Sequence, residues 1–349
     1  MRGFDELGNF GSSGAEAWGQ GNGGIIYYRA IGGQTVTDAN GIAHVVPQYE
    51  GGPRLYGNFG HDQGWNSHFN FDNVILAGDS YASILGFGSG GLVVGPQAYA
   101  PGASAAQVYL AGGTSSIGNV SGWDSEKDIR TFKNEFGETI DLNGDGIADF
   151  VGLGPNGLAF AFGFEDAGGK FQLNTLQTAH INGGGSDFGD AQGRNNSNTT
   201  RYIADLNGDG RQDILGFGAA GAMVSLGQDP TTHGGEAFGQ VYLGIADFGV
   251  SQGWTSTTKQ PRIIGDVNGD DVIDIVGFGN DFTFTALGSR DAAGKVTWAI
   301  DPTLSIQDYA ANQGWNQAPT LRDLADVDDD GRAELVLSGA VGTQTWDLF

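Results

Sequence analysis

Three features of the sequence predict an all-β protein assembled from one repeated four-stranded unit. Glycine fills 63 of 349 positions, which demands many tight turns and leaves little room for helix. Apolar residues alternate in short runs that end at Gly, Asn or Asp, the period and punctuation of strands. One block also recurs along the chain, an acidic segment followed by a glycine turn and, further on, by an FG-x-x-QGW segment.

The block reads DLNGDGIADFVGLG at 141–154, DLNGDGRQDILGFG at 205–218, DVNGDDVIDIVGFG at 266–279 and DVDDDGRAELVLSG at 326–339. A degenerate copy at 72–95 keeps the glycine turn and has lost most of the acids. The second signature is NFGHDQGW (58–65), IGNVSGW (117–123), DFGDAQGR (187–194), DFGVSQGW (247–254) and DYAANQGW (308–315). Within a unit, RYIAD enters the acidic loop, DILGFG leaves it, AMVSLG is the third strand, and FGQVYLGIADFG holds the fourth.

Four-stranded units repeated around a ring make a β-propeller. The spacing predicts one domain over 1–349, a six-bladed β-propeller with blades near 10–58, 59–117, 118–187, 188–247, 248–308 and 309–349 plus 3–10. The first blade is degenerate, with strands such as GGIIYYRA and IAHVVPQY and no acidic loop. Because GFDELGNFG at the start matches RLYGNFG at 54–60, residues 3–10 are expected to complete the last blade and leave no open edge. Seven blades is the alternative count.

Composition narrows the function. With 41 acidic and 16 basic residues the formal charge is −25, which repels nucleic acid and anionic membranes alike. No window approaches a membrane span, so no membrane insertion is expected. There is no cysteine, so thiolate chemistry and disulfides are excluded. The opening MRGFDELGNFGSSG lacks the apolar run of a signal peptide. An extracellular protein released by another route, or a cytoplasmic one, is expected.

GFGAAG at 216–221 fits a nucleotide fingerprint, as do 86–91 and 152–157. Such a loop must open a helix. Here each copy lies between two strands, so it is read as a turn. The acidic loops carry more weight. D-x-[DN]-x-D-G-x-x-[DE] sets side-chain oxygens at positions one, three, five and nine and a backbone carbonyl at seven, a set suited to calcium. The expected ligands are Asp141, Asn143, Asp145, Ile147 and Asp149; Asp205, Asn207, Asp209, Arg211 and Asp213; Asp266, Asn268, Asp270, Val272 and Asp274; and Asp326, Asp328, Asp330, Arg332 and Glu334, about four structural Ca²⁺ sites. Asp271 stands where the other loops have glycine at position six, so that loop is expected to be strained or reshaped. Free calcium tenfold above the dissociation constant would add about 1.4 kcal/mol per site.

Trp65, Trp123, Trp254 and Trp315 recur at one repeat position, with Gln63, Gln192, Gln252 and Gln313 two residues earlier in four of the repeats and Arg201, Arg262 and Arg322 four residues before a loop Asp. Rigid aromatics beside a few polar groups suit a small polar ligand. The plainer alternatives are a Trp wedging neighbouring blades and an Arg paired with its own acidic loop.

The joint motif FG-x-x-QGW, Arg, D-x-NGDG-x-x-DI-x-GFG resembles the Psathyrella velutina lectin-like propeller family. More broadly the repeats resemble the FG-GAP/VCBS repeats of integrin α-subunits. The match is best over 187–227 and 247–288 and extends weakly over 56–349. The resemblance implies a multivalent carbohydrate-binding lectin for terminal sugars of the N-acetylglucosamine or fucose type. It places the sugars in pockets between blades, at the Trp, Gln and Arg positions just named. The sequence departs from the pattern at Arg194 (for Trp) and Gly137 (for Arg), and only Pro261 remains of a His-Pro pair, so blades four to six are the expected sites. The integrin likeness supports the alternative of a protein-binding adhesion propeller. No enzyme is expected. The five His share no repeat position, and GDSYA at 78–82 lacks the closing glycine of a nucleophile elbow.

Overall fold

A computed structural model describes the strands between 7 and 56 and residues 71–74, 76, 83–95, 109–118, 121–123, 128–178, 188–189, 199–315, 320–328, 330–339 and 342–348. Gln63, Trp65, Gln192 and Arg194 lie outside the described residues. The described chain is all-β, with antiparallel sheets and three short 3₁₀ turns as its only helical elements. It divides into two compact units, 1–125 with 146–148 and 163–176, and 126–145 with 149–162 and 177–349.

In the first unit, β1 (Leu7–Asn9), β2 (Ala15–Gly21), β3 (Gly24–Thr37) and β4 (Ala43–Tyr49) pair in sequence, and β5 (Arg54–Tyr56) pairs with β3. A second sheet follows the order β6 (Phe71–Val74), β7 (Ser83–Gly88), β8 (Gly91–Gly95) and β9 (Tyr109–Leu110). Residues 163–173 contain a hairpin of β13 (Gly163–Glu165) against β14 (Phe171–Leu173).

The second unit repeats one sheet. β10 (Ile129–Thr131), β11 (Phe150–Gly154), β12 (Gly157–Ala161) and β15 (Gln177–Thr178) form the first, and β16 (Arg201–Ala204), β17 (Asp213–Phe217), β18 (Ala222–Ser225) and β19 (Tyr242–Ile245) the second. The third has β20 (Arg262–Gly265), β21 (Asp274–Phe278), β22 (Thr283–Arg290) and β23 (Val296–Ile306). The last has β24 (Leu321–Ala325), β25 (Glu334–Gly339) and β26 (Gly342–Trp346).

Leu7–Asn9 pairs with Ala15–Ala17 in the first sheet, and the last sheet has three strands among the described residues.

The second strand of the first three sheets of the second unit is buried on both faces, and this explains its unbroken apolar run. Ile214 packs with Val151, Leu153 and Phe160 of the preceding sheet, while Leu215 packs with Ile264, Ile275 and Trp298 of the following one. Adjacent residues of a strand face opposite ways, so one strand serves two cores. Ile275 and Val276 repeat the arrangement one sheet later. The turn after β10 also meets the first strand of the next sheet directly, where the Glu135 N–H donates to the Ile203 carbonyl at 2.8 Å.

Candidate functional site

The FG-x-x-QGW segment forms a small, heavily constrained loop ahead of the third sheet of the second unit. Phe248 has φ 61°, a left-handed conformation that bulky residues rarely adopt. Three contacts hold it. The Asp247 carboxylate accepts the Phe248 N–H at 2.6 Å, Arg262 Nη1 donates to the Phe248 carbonyl at 3.0 Å, and the Phe248 ring packs on Trp254 at 5.0 Å. The 3₁₀ turn Val250–Gln252 then docks on the glycine turn of the preceding sheet, through Val250 N–H to Gly218 O (3.1 Å) and Ser251 N–H to Ala219 O (3.0 Å).

The next repeat reproduces this arrangement. Tyr309 has φ 58°, Asp308 accepts its N–H at 2.8 Å, and Arg322 Nη1 donates to its carbonyl at 3.2 Å. Ala311 and Asn312 dock on Gly279 and Asn280 at 3.0 and 2.8 Å. The glycine of the strand motif has its own reason. A Cβ on Gly277 would lie 2.5 Å from Phe248 and 2.6 Å from Trp254, so only glycine lets both rings rest on the strand.

These contacts settle where the predicted arginines sit. Arg201, Arg262 and Arg322 are 3, 1 and 8% exposed. Arg201 Nη1 donates to the Phe188 carbonyl at 2.8 Å, the same contact one repeat earlier. The guanidiniums of Arg262 and Arg322 lie 5.0 and 4.9 Å from the rings of Phe217 and Phe278 in the preceding sheet. Arg322 Nη2 also reaches Thr258 O at 2.9 Å. Burial lowers Arg262 and Arg322 to about 10, still charged at neutral pH. Through Nη1 they brace the carbonyls of the aromatic loop residues, and Arg262 is not among the residues that line the cavity at Trp254.

The tryptophans are also more buried than a bare stacking platform. Trp254 is 5% exposed, with its ring edge-on to Phe284 at 6.1 Å and Nε1 donating to Asp247 Oδ1 at 3.3 Å. Trp123, in the first unit, is buried with Nε1 on Ser116 O at 3.0 Å. Trp315 is half-buried and packs edge-on to Tyr309 at 5.3 Å. Gln313 is exposed and tied through Nε2 to Asp281 O at 3.2 Å.

Around Trp254 these elements enclose a cavity of about 230 Å³. Trp254, Phe284 and Ile300 supply apolar surface, and Asp247, Gln252, Gln260 and Asn280 supply polar groups. Gln260 is buried and organises the wall, accepting from Thr255 N–H at 2.9 Å and donating to Gly253 O at 3.0 Å and Asn280 Oδ1 at 3.2 Å. Gln252 is exposed on the rim. The sequence analysis named Trp254 and Gln252 and missed Asp247, Gln260 and Asn280. The Asp at 187, 247 and 308, always just before the aromatic, was the available signal.

The acidic loops share one geometry. The closing acid is buried and accepts main-chain N–H groups: Asp149 from Leu142 (2.7 Å), Asp213 from Leu206 (3.0 Å) and Gly227 (2.6 Å), Asp274 from Val267 (2.9 Å) and Gly288 (2.7 Å), and Glu334 from Val327 (2.8 Å). Burial pushes Asp213 well above the usual carboxylate range and Asp274 up to about 7. Asp141, Asp205, Asp266 and Asp326 accept N–H groups at the loop tips. At position seven, the N–H groups of Arg211, Val272 and Arg332 donate to Asp209, Asp270 and Asp330. Asn143, Asn207 and Asn268 each donate through Nδ2 to the position-five Asp. In the last loop Asp326, Asp328, Asp330 and Glu334 bring one carboxylate oxygen each within 4.8 Å of the others. The all-oxygen donor set fits a hard divalent cation. Asp271 has φ 62°, matching 79°, 84° and 88° at Gly146, Gly210 and Gly331, so the loop keeps its shape at the expense of strain.

No protein-family model matches the chain, and no curated protein matches it in sequence. Solved structures do. A lectin from Agrocybe aegerita, studied for specific recognition of non-reducing terminal N-acetylglucosamine, aligns with TM-score 0.70 and 26% identity over 95% of this chain and 73% of its own. A part of the Photorhabdus luminescens Tc holotoxin pore aligns with TM-score 0.54 and 14% identity over 99% of this chain and 14% of that chain, a likeness of fold alone.

Proposed function

We propose that the protein is a multivalent, non-catalytic lectin that takes terminal sugars of the N-acetylglucosamine or fucose type. The observation that carries this reading is the cavity at Trp254. It joins apolar surface for the C–H face of a sugar ring to amides and a carboxylate for its hydroxyls. Its volume falls below the range for drug-sized ligands and suits a single ring. The likeness to a lectin for terminal N-acetylglucosamine points the same way.

The repeated sheets support a six-bladed propeller, with further sites at the equivalent loops near Trp65, Trp123 and Trp315. Several weak sites on one body gain avidity of roughly 10²–10⁴ on a glycan surface. In this reading the arginines position the loops. Calcium in the acidic loops neutralises clustered carboxylates and fixes strand to strand. Millimolar extracellular calcium would fill such loops, so the protein acts outside the cell.

A glycan array with calcium present, repeated after EDTA, tests the proposal. Selective binding to glycans ending in N-acetylglucosamine or fucose supports it. A blank array from folded protein refutes it for the sugars tested and favours a protein-binding propeller.

A further inference from the structure

Along the third strand of this repeat, the side chains that face Trp254 form a graded series. Ala286 belongs to the core around Trp254, Phe284 lines the cavity, and Phe282, just before the strand, is 41% exposed. Thr283, between the two phenylalanines, is buried on the opposite face, as alternation along a strand requires. The rings form a chain. Trp254 meets Phe284 edge-on at 6.1 Å, and Phe284 meets Phe282 at 6.1 Å with a tilt of 45°. The apolar wall of the cavity therefore continues outward onto an exposed aromatic ring.

Phe282 is peculiar to this repeat. Gly91, Gly157, Gly221 and Gly342 hold the equivalent position in the others. Gly91, Gly157 and Gly221 have φ of 126°, 106° and 142°, and a Cβ on Gly221 would lie 2.1 Å from the Ile245 carbonyl oxygen. A ring cannot stand there unless the backbone moves. Phe282 is outside the left-handed region, and its turn is pinned. Gly279 N–H donates to the Phe282 carbonyl at 2.8 Å, and Asn312 and Gln313 of the next repeat donate to the adjacent Asp281 at 2.7 and 3.2 Å. A ring presented on a fixed turn loses little freedom when a ligand packs on it.

A cavity of about 230 Å³ encloses a single ring, so the group joined to C1 of a terminal sugar has to extend past the rim, where Phe282 stands. We infer that Phe282 forms an outer subsite that packs against the ring attached to the terminal sugar, and that this repeat thereby selects for what the sugar is joined to. The inference rests on the sugar-binding reading of the cavity.

The test is titration calorimetry with the methyl and phenyl β-glycosides of N-acetylglucosamine, the phenyl ring standing in for the face of the attached ring. Wild type should bind the phenyl glycoside about three- to tenfold more tightly, the gain expected of one added aromatic pair. Phe282→Gly, the residue of the other repeats, and Phe282→Ser should each bring the ratio to about twofold or less, and Phe282→Tyr should keep it. Sugar sites at other repeats add the same background to every variant. Equal affinity of wild type for both glycosides, or an unchanged ratio in Phe282→Ser with a native melting curve, overturns the inference and leaves the lectin reading intact. Failure of wild type to bind either glycoside overturns both.

Discussion

Asp271 gives a clean test of how the acidic loops are built. Its φ of 62° sits where Gly146, Gly210 and Gly331 have 79°, 84° and 88°. An L-residue pays about 1–2 kcal/mol for that conformation. Replacement by glycine removes the strain and returns about 0.4–1 kcal/mol of unfolded-state entropy. The N–H bond from residue 271 to Asp266 (2.8 Å) survives the change, and one negative charge leaves a crowded acidic loop. Asp271→Gly should therefore stabilise by about 0.5–1 kcal/mol, a rise of about 1–2 °C in a chain of this length. The mirror change isolates the cause. A Cβ at Gly210 meets nothing within 4 Å, so Gly210→Asp tests conformation without a clash and should lower the melting temperature by a similar amount. Both belong in a thermal melt with EDTA and again with calcium. Destabilisation by Asp271→Gly in both conditions would refute the strain argument and show that the Asp271 carboxylate holds the loop.

Other outcomes follow from the same geometry. Arg322→Lys keeps the charge but loses the planar fork that reaches Thr258 and Tyr309 and stacks on Phe278; it should destabilise by about 2–4 kcal/mol in a denaturant titration. Gln260→Ala leaves Thr255 N–H and Gly253 O without their partner and frees Asn280; a loss of about 1–3 kcal/mol in stability should come with weaker glycan binding by calorimetry. Asp274 is held near pH 7 by burial, above its ordinary 3.8. A raised carboxylate favours the protonated fold, so its stabilising share is complete below about pH 4 and is lost as pH rises through about 7. Melts in EDTA should thus weaken across that window, and both Asp274→Asn and added calcium should flatten the slope.

Much of this was legible because it is local. Acidic loops, glycine turns and strand alternation each span fewer than a dozen residues, and the strain at Asp271 follows from one residue out of register with its three counterparts. What escaped is long-range. Nothing beside Arg262 in sequence says that its partners are the Phe248 carbonyl and the Phe217 ring, 14 and 45 positions away. A repeated Arg is equally expected of a ligand site, an acid partner or a loop support, and only the packing of one sheet on the next decides. The depth of Trp254 was equally invisible, because it depends on glycine at 277 letting the ring rest against the strand. Asp247 was overlooked although its repeat at 187 and 308 marked it, since one acid before an aromatic carries no spacing that points to a site. The hairpin at 163–173 is too short and too polar to announce itself.

The central claim is that the Trp254 cavity holds a sugar ring. A crystal structure of the protein with N-acetylglucosamine tests it most directly. The account predicts a single ring with its C–H face toward Trp254 and Phe284 and its hydroxyl or acetamido groups on Asp247, Gln252 and Asn280. Sugar bound only at other surfaces, with this cavity holding water at saturating ligand, would contradict it.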